Sequence, residues 1–298
     1  MRRSCLVWIV LILTSACSQP PSPAGTFDPV VLASTSFLAD IAQNVAGDRL
    51  KVISLLPLGT DPHSYQLTPQ DVAEVTESQL LIFNGANYES FLDPVLDAQD
   101  AGEENTILEA SAGLPLRQDA QGHGVDPHVW LDPNHVNVYV ENIREGLTHF
   151  DPDGAAEFQA NAEAYVAKLT ALHEWISEEV DHIPAGNRLL VTNHEAFGYF
   201  AQRYGFTVVG TVIESFSTDA SPSAQQMAGL IDQIKASGAP AIFIDAADNP
   251  ALAQQIADET GVKLVTDLHL ESLTDGAPAG TYIDMMKYNV TQIVIALK

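Results

Sequence analysis

The chain is poor in cysteine and in positive charge, and both shortages exclude whole classes of function. Cys5 and Cys17 are its two cysteines. Cys5 falls in an N-terminal segment that reads as an export signal, so the mature chain keeps a single thiol and closes no internal disulfide. Cysteine catalysis in the soluble part is excluded with it. The 13 Lys and Arg stand against 39 Asp and Glu, a formal net charge of −26, which argues against a nucleic-acid partner because neutralising phosphates needs cations. Such acidity gives a solvated surface that resists aggregation and attracts cations in a general way. Enzyme signatures are missing as well. There is no Gly-rich phosphate loop with Lys and no Gly-x-Ser-x-Gly elbow, and His194-Glu195 is followed by Gly198 where a zinc-protease helix needs its second His.

What is present begins with the export signal. Met1-Arg2-Arg3 and the apolar run 5–13 form a charged region and a hydrophobic region too short to span a bilayer. The run ends in Thr14-Ser15-Ala16-Cys17, which resembles a bacterial lipobox with Thr14 in place of the usual Leu. The expectation is a signal peptide over 1–16, a lipid on Cys17, and a flexible Pro- and Ser-rich tether over 17–29. That places the protein outside the cytoplasm, in the periplasm or anchored on the outer face of a bacterial membrane. At 298 residues and 46% hydrophobic content, the rest is long enough for two compact lobes.

Short apolar runs alternate with helical periodicities on both sides of one long stretch, residues 151–183. There Asp151 offers a cap, Pro152 suits the first helical position, and apolar residues recur from Phe158 to Ile183 in steps of three and four. Some 32 residues at 1.5 Å each give roughly 48 Å, the length of a spine rather than of a helix inside one small domain. Before it, strands are expected at 30–33, 52–56, 80–83 and 106–108, with helices at 36–46, 68 onward, 88–98 and 134–150. After it, strands at 189–191, 207–212, 241–244 and 262–265 alternate with helices capped at Asn193, Ser221 and Asn249, and a helix at 282–297 closes the chain. This grammar predicts an α/β fold of two lobes, 30–150 and 185–298, each a parallel sheet flanked by helices, joined by one long linking helix over 151–184.

Ligands in such sheets gather where strands end and loops lead into helices. Three histidines occupy these places. His63 lies in Asp61-Pro62-His63, His128 in Asp126-Pro127-His128, and His194 follows the strand at 189–191 in what reads as the first turn of a helix. A helix N-terminus disfavours imidazolium, which leaves His194 with a lone pair to offer. A lone histidine is more often a packing residue than a ligand, but two copies of Asp-Pro-His, each with proline fixing the approach of the following side chain, weigh against that. His135, His149, His173 and His182 keep the packing reading, and His123 is at most an accessory contact.

The segments Asp61-Pro62-His63-Ser64-Tyr65, Asp126-Pro127-His128-Val129-Trp130-Leu131-Asp132-Pro133, Asn193-His194-Glu195-Ala196-Phe197-Gly198-Tyr199-Phe200 and Tyr282-Ile283-Asp284-Met285-Met286-Lys287-Tyr288-Asn289 carry a resemblance. In order and spacing they are similar to the cluster 9 solute-binding proteins of zinc and manganese ABC importers. The resemblance implies two α/β lobes on one long helix, a metal ion in the cleft, a membrane permease as partner, and no catalytic activity. It also implies a ligand from each of four loops. Three match His63, His128 and His194. The fourth is a carboxylate in an Asp-Ser or Glu-Ser pair, which here is Glu271-Ser272, with Asp267, His269 and Asp275 near enough to compete. Gln66 stands where the family often has Glu, and the long His-rich loop of some zinc members is reduced to His123.

Three imidazoles and one carboxylate suit tetrahedral Zn²⁺ better than Mn²⁺, which favours more oxygen. Four protein ligands leave no position for an activated water, so a carrier is expected, working as a monomer. The alternatives are a manganese-binding importer component, a zinc hydrolase using Glu195 or Glu271 as base, and an adhesin with a structural metal.

Overall fold

The computed structural model describes residues 30–99, 106–118 and 124–298, so the leader, Cys17, the tether and His123 lie outside the described residues. The first half runs β1 (Val31–Ala33), α1 (Ser36–Ala46), β2 (Val52–Ser54), α2 (Pro69–Glu77), β3 (Leu80–Phe83), α3 (Asp93–Gln99), β4 (Thr106–Glu109) and α4 (Pro133–Phe150). After α5 (Ala155–Asp181) come β5 (Leu189–Thr192), α6 (Gly198–Tyr204), β6 (Thr207–Thr211), α7 (Ala224–Ser237), β7 (Ala241–Asp245), α8 (Ala251–Thr260), β8 (Lys263–Leu268) and α9 (Tyr282–Leu297). The strands form two four-stranded sheets, ordered β2-β1-β3-β4 and β6-β5-β7-β8. Every pairing within them is parallel. Parallel sheets are covered on both faces, which is why the inner strands carry continuous apolar runs: Leu-Leu-Ile-Phe in β3 and Ala-Ile-Phe-Ile in β7, which ends in the buried Asp245.

Three cores result. One lies outside the first sheet, around Leu32, Val75, Leu81 and Leu92. A second lies outside the second sheet, around Val191, Ile231, Ile242 and Ile256. The third runs between the lobes without interruption and joins Phe37, Trp130, Tyr139, Leu169, Phe200 and Met285. The stripe of α5 is the axis of that shared core. Phe158, Ala162, Tyr165, Leu169, Leu172, Ile176, Val180 and Ile183 are all buried. Each large apolar side chain among them contributes about 1.5–3 kcal/mol relative to exposure, so the stripe pins both lobes to one rod.

Several helix boundaries differ from the sequence reading: the helix expected at 88–98 begins only at Asp93, after a 3₁₀ turn at Ser90–Leu92, and in three others a polar group decides the start. Asp151 does not cap the long helix: its carboxylate takes two bonds from Arg49, 2.5 Å to Nε and 2.9 Å to Nη2. A 3₁₀ turn at Pro152–Gly154 follows, and α5 begins at Ala155 with 27 residues, roughly 40 Å rather than 48 Å. Likewise α7 starts two residues late because Ser223 and Gln226 close a capping box. The third case is α6, which begins at Gly198 and not at Asn193. Its expected first turn is spent otherwise, since Glu195 N–H bonds Ser215 O at 2.9 Å and His194 O accepts from both Thr192 Oγ1 and Ala196 N. The Thr68–Asp71 capping box expected at α2 is present.

Polar bonds join the lobes beside the shared core. Leu273 N–H donates to Ser36 Oγ at 2.9 Å, Tyr282 N–H to Asp40 at 3.0 Å, and the Trp130 indole to Leu270 O at 2.8 Å. All are buried or half-buried, where an unmade bond costs most, so they hold the lobes at a defined spacing.

Candidate metal centre

Four side chains converge between the lobes from the carboxyl ends of strands. His63 comes from the loop after β2, His128 from the segment between β4 and α4, His194 directly after β5, and Glu271 just beyond β8. They are 8%, 0%, 1% and 3% exposed respectively. Glu271 Oε1 lies 3.0 Å from His63 Nε2 and 3.2 Å from both His128 Nε2 and His194 Nε2. His128 and His194 Nε2 are 3.2 Å apart, and all four ligand atoms fall within 4.8 Å of one another. Four of the six edges of this tetrahedron are thus 3.0–3.2 Å, and a regular one with edges of that length has its centre about 1.8–2.0 Å from each corner, near the 2.0–2.1 Å of zinc–imidazole bonds.

The two Asp-Pro-His copies explain how two of the rings are aimed. Asp61 Oδ1 accepts His63 N–H at 2.9 Å, and Asp126 Oδ1 accepts His128 N–H at 3.0 Å, so each Asp folds a tight turn that presents the histidine. Asp126 does more: the same oxygen takes His128 Nδ1 at 2.9 Å, which fixes the proton on Nδ1 and leaves Nε2 to face the cluster. On the other side, the Asp245 carboxylate accepts Leu270 N–H while Trp130 holds Leu270 O, so the residue before Glu271 is clamped at both ends. Sequence reasoning missed these roles for Asp126 and Asp245. For Asp126 a signal existed, the repeated Asp two residues before a histidine.

The other candidates are placed elsewhere. Asp267 accepts Tyr288 O–H at 2.7 Å, the His269 ring lies 5.5 Å from that of Tyr288, and Asp275 is exposed. Gln66 is exposed too, and His173 Nδ1 sits 3.1 Å from Tyr204 O–H. Among the described residues, the group of His, Cys, Asp or Glu able to surround a metal ion is His63, His128, His194 and Glu271.

Burial alone would raise the Glu271 pKa, but the charge of His63 and hydrogen bonds from the three imidazoles hold it well below the usual carboxylate range. His128 is depressed by burial and yet carried up to about 9 by Asp126 and Glu271. His194 is lowered, chiefly by burial and further by the neighbouring imidazoles. The neutral His194 expected from a helix dipole therefore has another cause, because the residue precedes α6 and its N-cap Phe197. A cavity of about 320 Å³, lined by His63, Pro127, Glu195, Glu214, Ser215 and Phe216 among others, leads to this cluster.

These shifts set the stability of the chelator-treated protein. His128 is raised above its unfolded value, so its contribution is complete below pH 6.5 and is lost as pH rises through about 9. Burial also raises Asp40 to about 6 and Glu89, Asp245 and Asp248 to about 7, and these contributions are complete below the ordinary carboxyl range and lost through pH 6–7. His194, His135 and His269 are lowered by burial and act the other way, adding stability as pH rises to about 6.5 and nothing above it. Above about pH 7 only His128 of these groups still titrates, so the melting temperature is expected to fall between about pH 7 and 9, and a calorimetric series that rises over that range refutes the assignment.

The comparisons with known proteins agree with this geometry. The family model described as zinc-uptake complex component A, periplasmic, matches residues 31–296. The manganese-binding lipoprotein MntA of Halalkalibacterium halodurans is 31% identical over 303 residues, covering 100% of this chain and 99% of its own. The iron-binding protein YfeA of Yersinia pestis is 32% identical over 290 residues, covering 95% and 91%. Among solved structures, the periplasmic zinc binding protein TroA from Treponema pallidum superposes with a TM-score of 0.84 at 29% identity, covering 91% of this chain and 99% of that one. The Mn-bound periplasmic metal binding protein of Candidatus Liberibacter asiaticus gives 0.81 at 28% identity, covering 91% and 100%. Because the family match runs through both sheets, the helix between them and all four converging loops, the chain belongs to the cluster 9 family, the metal-binding solute-binding components of ABC importers.

Proposed function

We propose that the chain captures Zn²⁺ between its lobes through His63, His128, His194 and Glu271 and delivers it to a membrane permease. The observation that carries this reading is the meeting of four buried ligand atoms, with edges of 3.0–3.2 Å around Glu271. Three borderline imidazole donors and one carboxylate oxygen at tetrahedral spacing fit zinc, and four protein ligands leave no open position for a reactive water. Carriage follows rather than hydrolysis.

Manganese is the second reading, favoured by a relative named for it that aligns over the whole chain. Any site of nitrogen and oxygen donors binds zinc more tightly than manganese, so affinity alone does not decide which ion is carried. Protein purified without chelator is expected to contain close to one zinc per chain, and manganese in tenfold excess is expected to leave that zinc in place. Manganese recovered as the bound ion would overturn the choice of metal.

Around the site we place an N-terminal lobe over 30–150, a linking helix over 151–184 and a C-terminal lobe over 185–298, working as a monomer. Cys17 would carry the lipid and residues 18–29 the tether, as relatives named lipoproteins suggest. No described helix is long and apolar enough to cross a membrane, which fits attachment through the N-terminus.

A further inference from the structure

Asp126 uses one carboxylate oxygen twice, for the backbone and ring N–H groups of His128, and leaves the other, Oδ2, buried without a hydrogen bond. A buried carboxylate with an idle oxygen is costly unless a cation stands near it. One does. Arg117 Nε lies 3.6 Å from Oδ2, within ion-pair reach though beyond a hydrogen bond. Arg117 follows β4, in the half of the chain that supplies His63 and His128, but its fixings are on α6 in the other half. Its guanidinium donates to Gln202 Oε1 at 2.9 Å and stacks over the Tyr199 ring at 5.7 Å. Tyr199 O–H accepts Arg117 N–H at 2.8 Å and donates to Asp126 O at 2.9 Å, while Asp126 N–H bonds Arg117 O at 2.9 Å.

The first residue of α6 makes room for this arrangement. A Cβ at Gly198 would lie 2.5 Å from Asp126 Oδ2 and 2.7 Å from Arg117 Nε, so a side chain there collides with the pair. Glycine is required by close approach, not by its backbone angles. One helix of the second lobe thus grips Arg117 and Asp126, which flank the single bridge of Gln118 with Val125, at the point where Asp126 supports His128.

We propose that Arg117 is a positioning residue for His128, a strut anchored on α6 across the lobe boundary that balances the outer oxygen of Asp126 only while the lobes are closed. Parting the lobes withdraws the guanidinium with Gln202 and Tyr199, and Asp126 then holds the imidazole less firmly. Opening and weakening of the metal site become one event. This gives a carrier a way to hold its ion tightly when closed and to surrender it on a surface that pries the lobes apart. The inference rests on the reading of His128 as a ligand.

The test is zinc release from the loaded protein into excess chelator, followed by stopped flow. Arg117→Gln is expected to raise the dissociation rate about tenfold, the lower end of what losing a residue that supports a metal ligand costs, with the association rate unchanged. Arg117→Lys should recover part of the loss by restoring the charge, and Tyr199→Phe should speed release in the same sense by removing the bridge. The metal-free melting temperature of Arg117→Gln should fall by only a few degrees, because the arginine side chain is 40% exposed and water can partly replace it beside Asp126, and Arg117→Lys should restore it. Release within twofold of wild type in Arg117→Gln overturns the strut. So does equal acceleration in the Gln and Lys variants with the metal-free melting temperature lowered alike in both, which signals general loosening. Wild-type protein that holds no zinc would instead remove the site assignment on which the strut depends.

Discussion

Replacing His194 with alanine is expected to weaken zinc binding by roughly a hundred- to a thousandfold, with the fold intact. Four-ligand zinc sites contribute about 10–16 kcal/mol, so one ligand of four accounts for about 2.5–4 kcal/mol, and each 1.4 kcal/mol is a factor of ten. His194 is a clean choice because its imidazole faces the cluster while its backbone makes the bonds that shape the turn: His194 O accepts from Thr192 Oγ1 at 2.8 Å and from Ala196 N at 2.9 Å. Alanine keeps that backbone and removes the nitrogen 3.2 Å from Glu271. Water can fill the vacated position, so binding should weaken rather than vanish. His173→Ala is the matched control, since its ring meets Tyr204 far from the cluster and its loss should leave affinity unchanged. Competition against a chromophoric zinc chelator measures both. Affinity equal to wild type in His194→Ala would remove this residue from the site, and with it the tetrahedral argument for zinc.

The fold was legible because parallel strands buried on both faces must be continuous apolar runs, and because a helix between two lobes must carry an unbroken stripe. Both patterns are local. What was not legible depended on partners distant in the chain. Asp151 reads as a cap until Arg49, 102 positions away, takes its carboxylate. The turn over 193–197 reads as helix until Ser215 O takes an N–H from it. The site divides in the same way. His63 and His128 announce themselves through Asp-Pro-His, and His194 through its place at a strand end. Nothing in local spacing separates Glu271 from Asp267 or Asp275; family resemblance chose it, and the structure places it in the cluster because Asp245 and Trp130 clamp the preceding residue. Arg117 had no sequence signal at all, since its meaning lies in α6.

Loading with zinc is expected to raise the melting temperature of the whole protein by about 10 °C, in one transition. Binding at a thousand times the dissociation constant stabilises by about 4 kcal/mol, and for a chain of this size each kcal/mol shifts melting by about 2–4 °C. The single transition is the more telling part. His63 and His128 belong to the half of the chain that forms the first sheet, His194 and Glu271 to the half that forms the second, so an ion held by all four adds to the cohesion of both. The core between the lobes is continuous through α5, which leaves neither lobe an independent interior on that side. The shift should also grow between pH 6.5 and 9, because zinc must displace the proton that Asp126 and Glu271 keep on His128 and that proton becomes easier to remove as pH rises. Differential scanning calorimetry with zinc and with chelator, at three pH values, reads all of this. Two transitions that move independently would mean that the ion does not bridge the lobes.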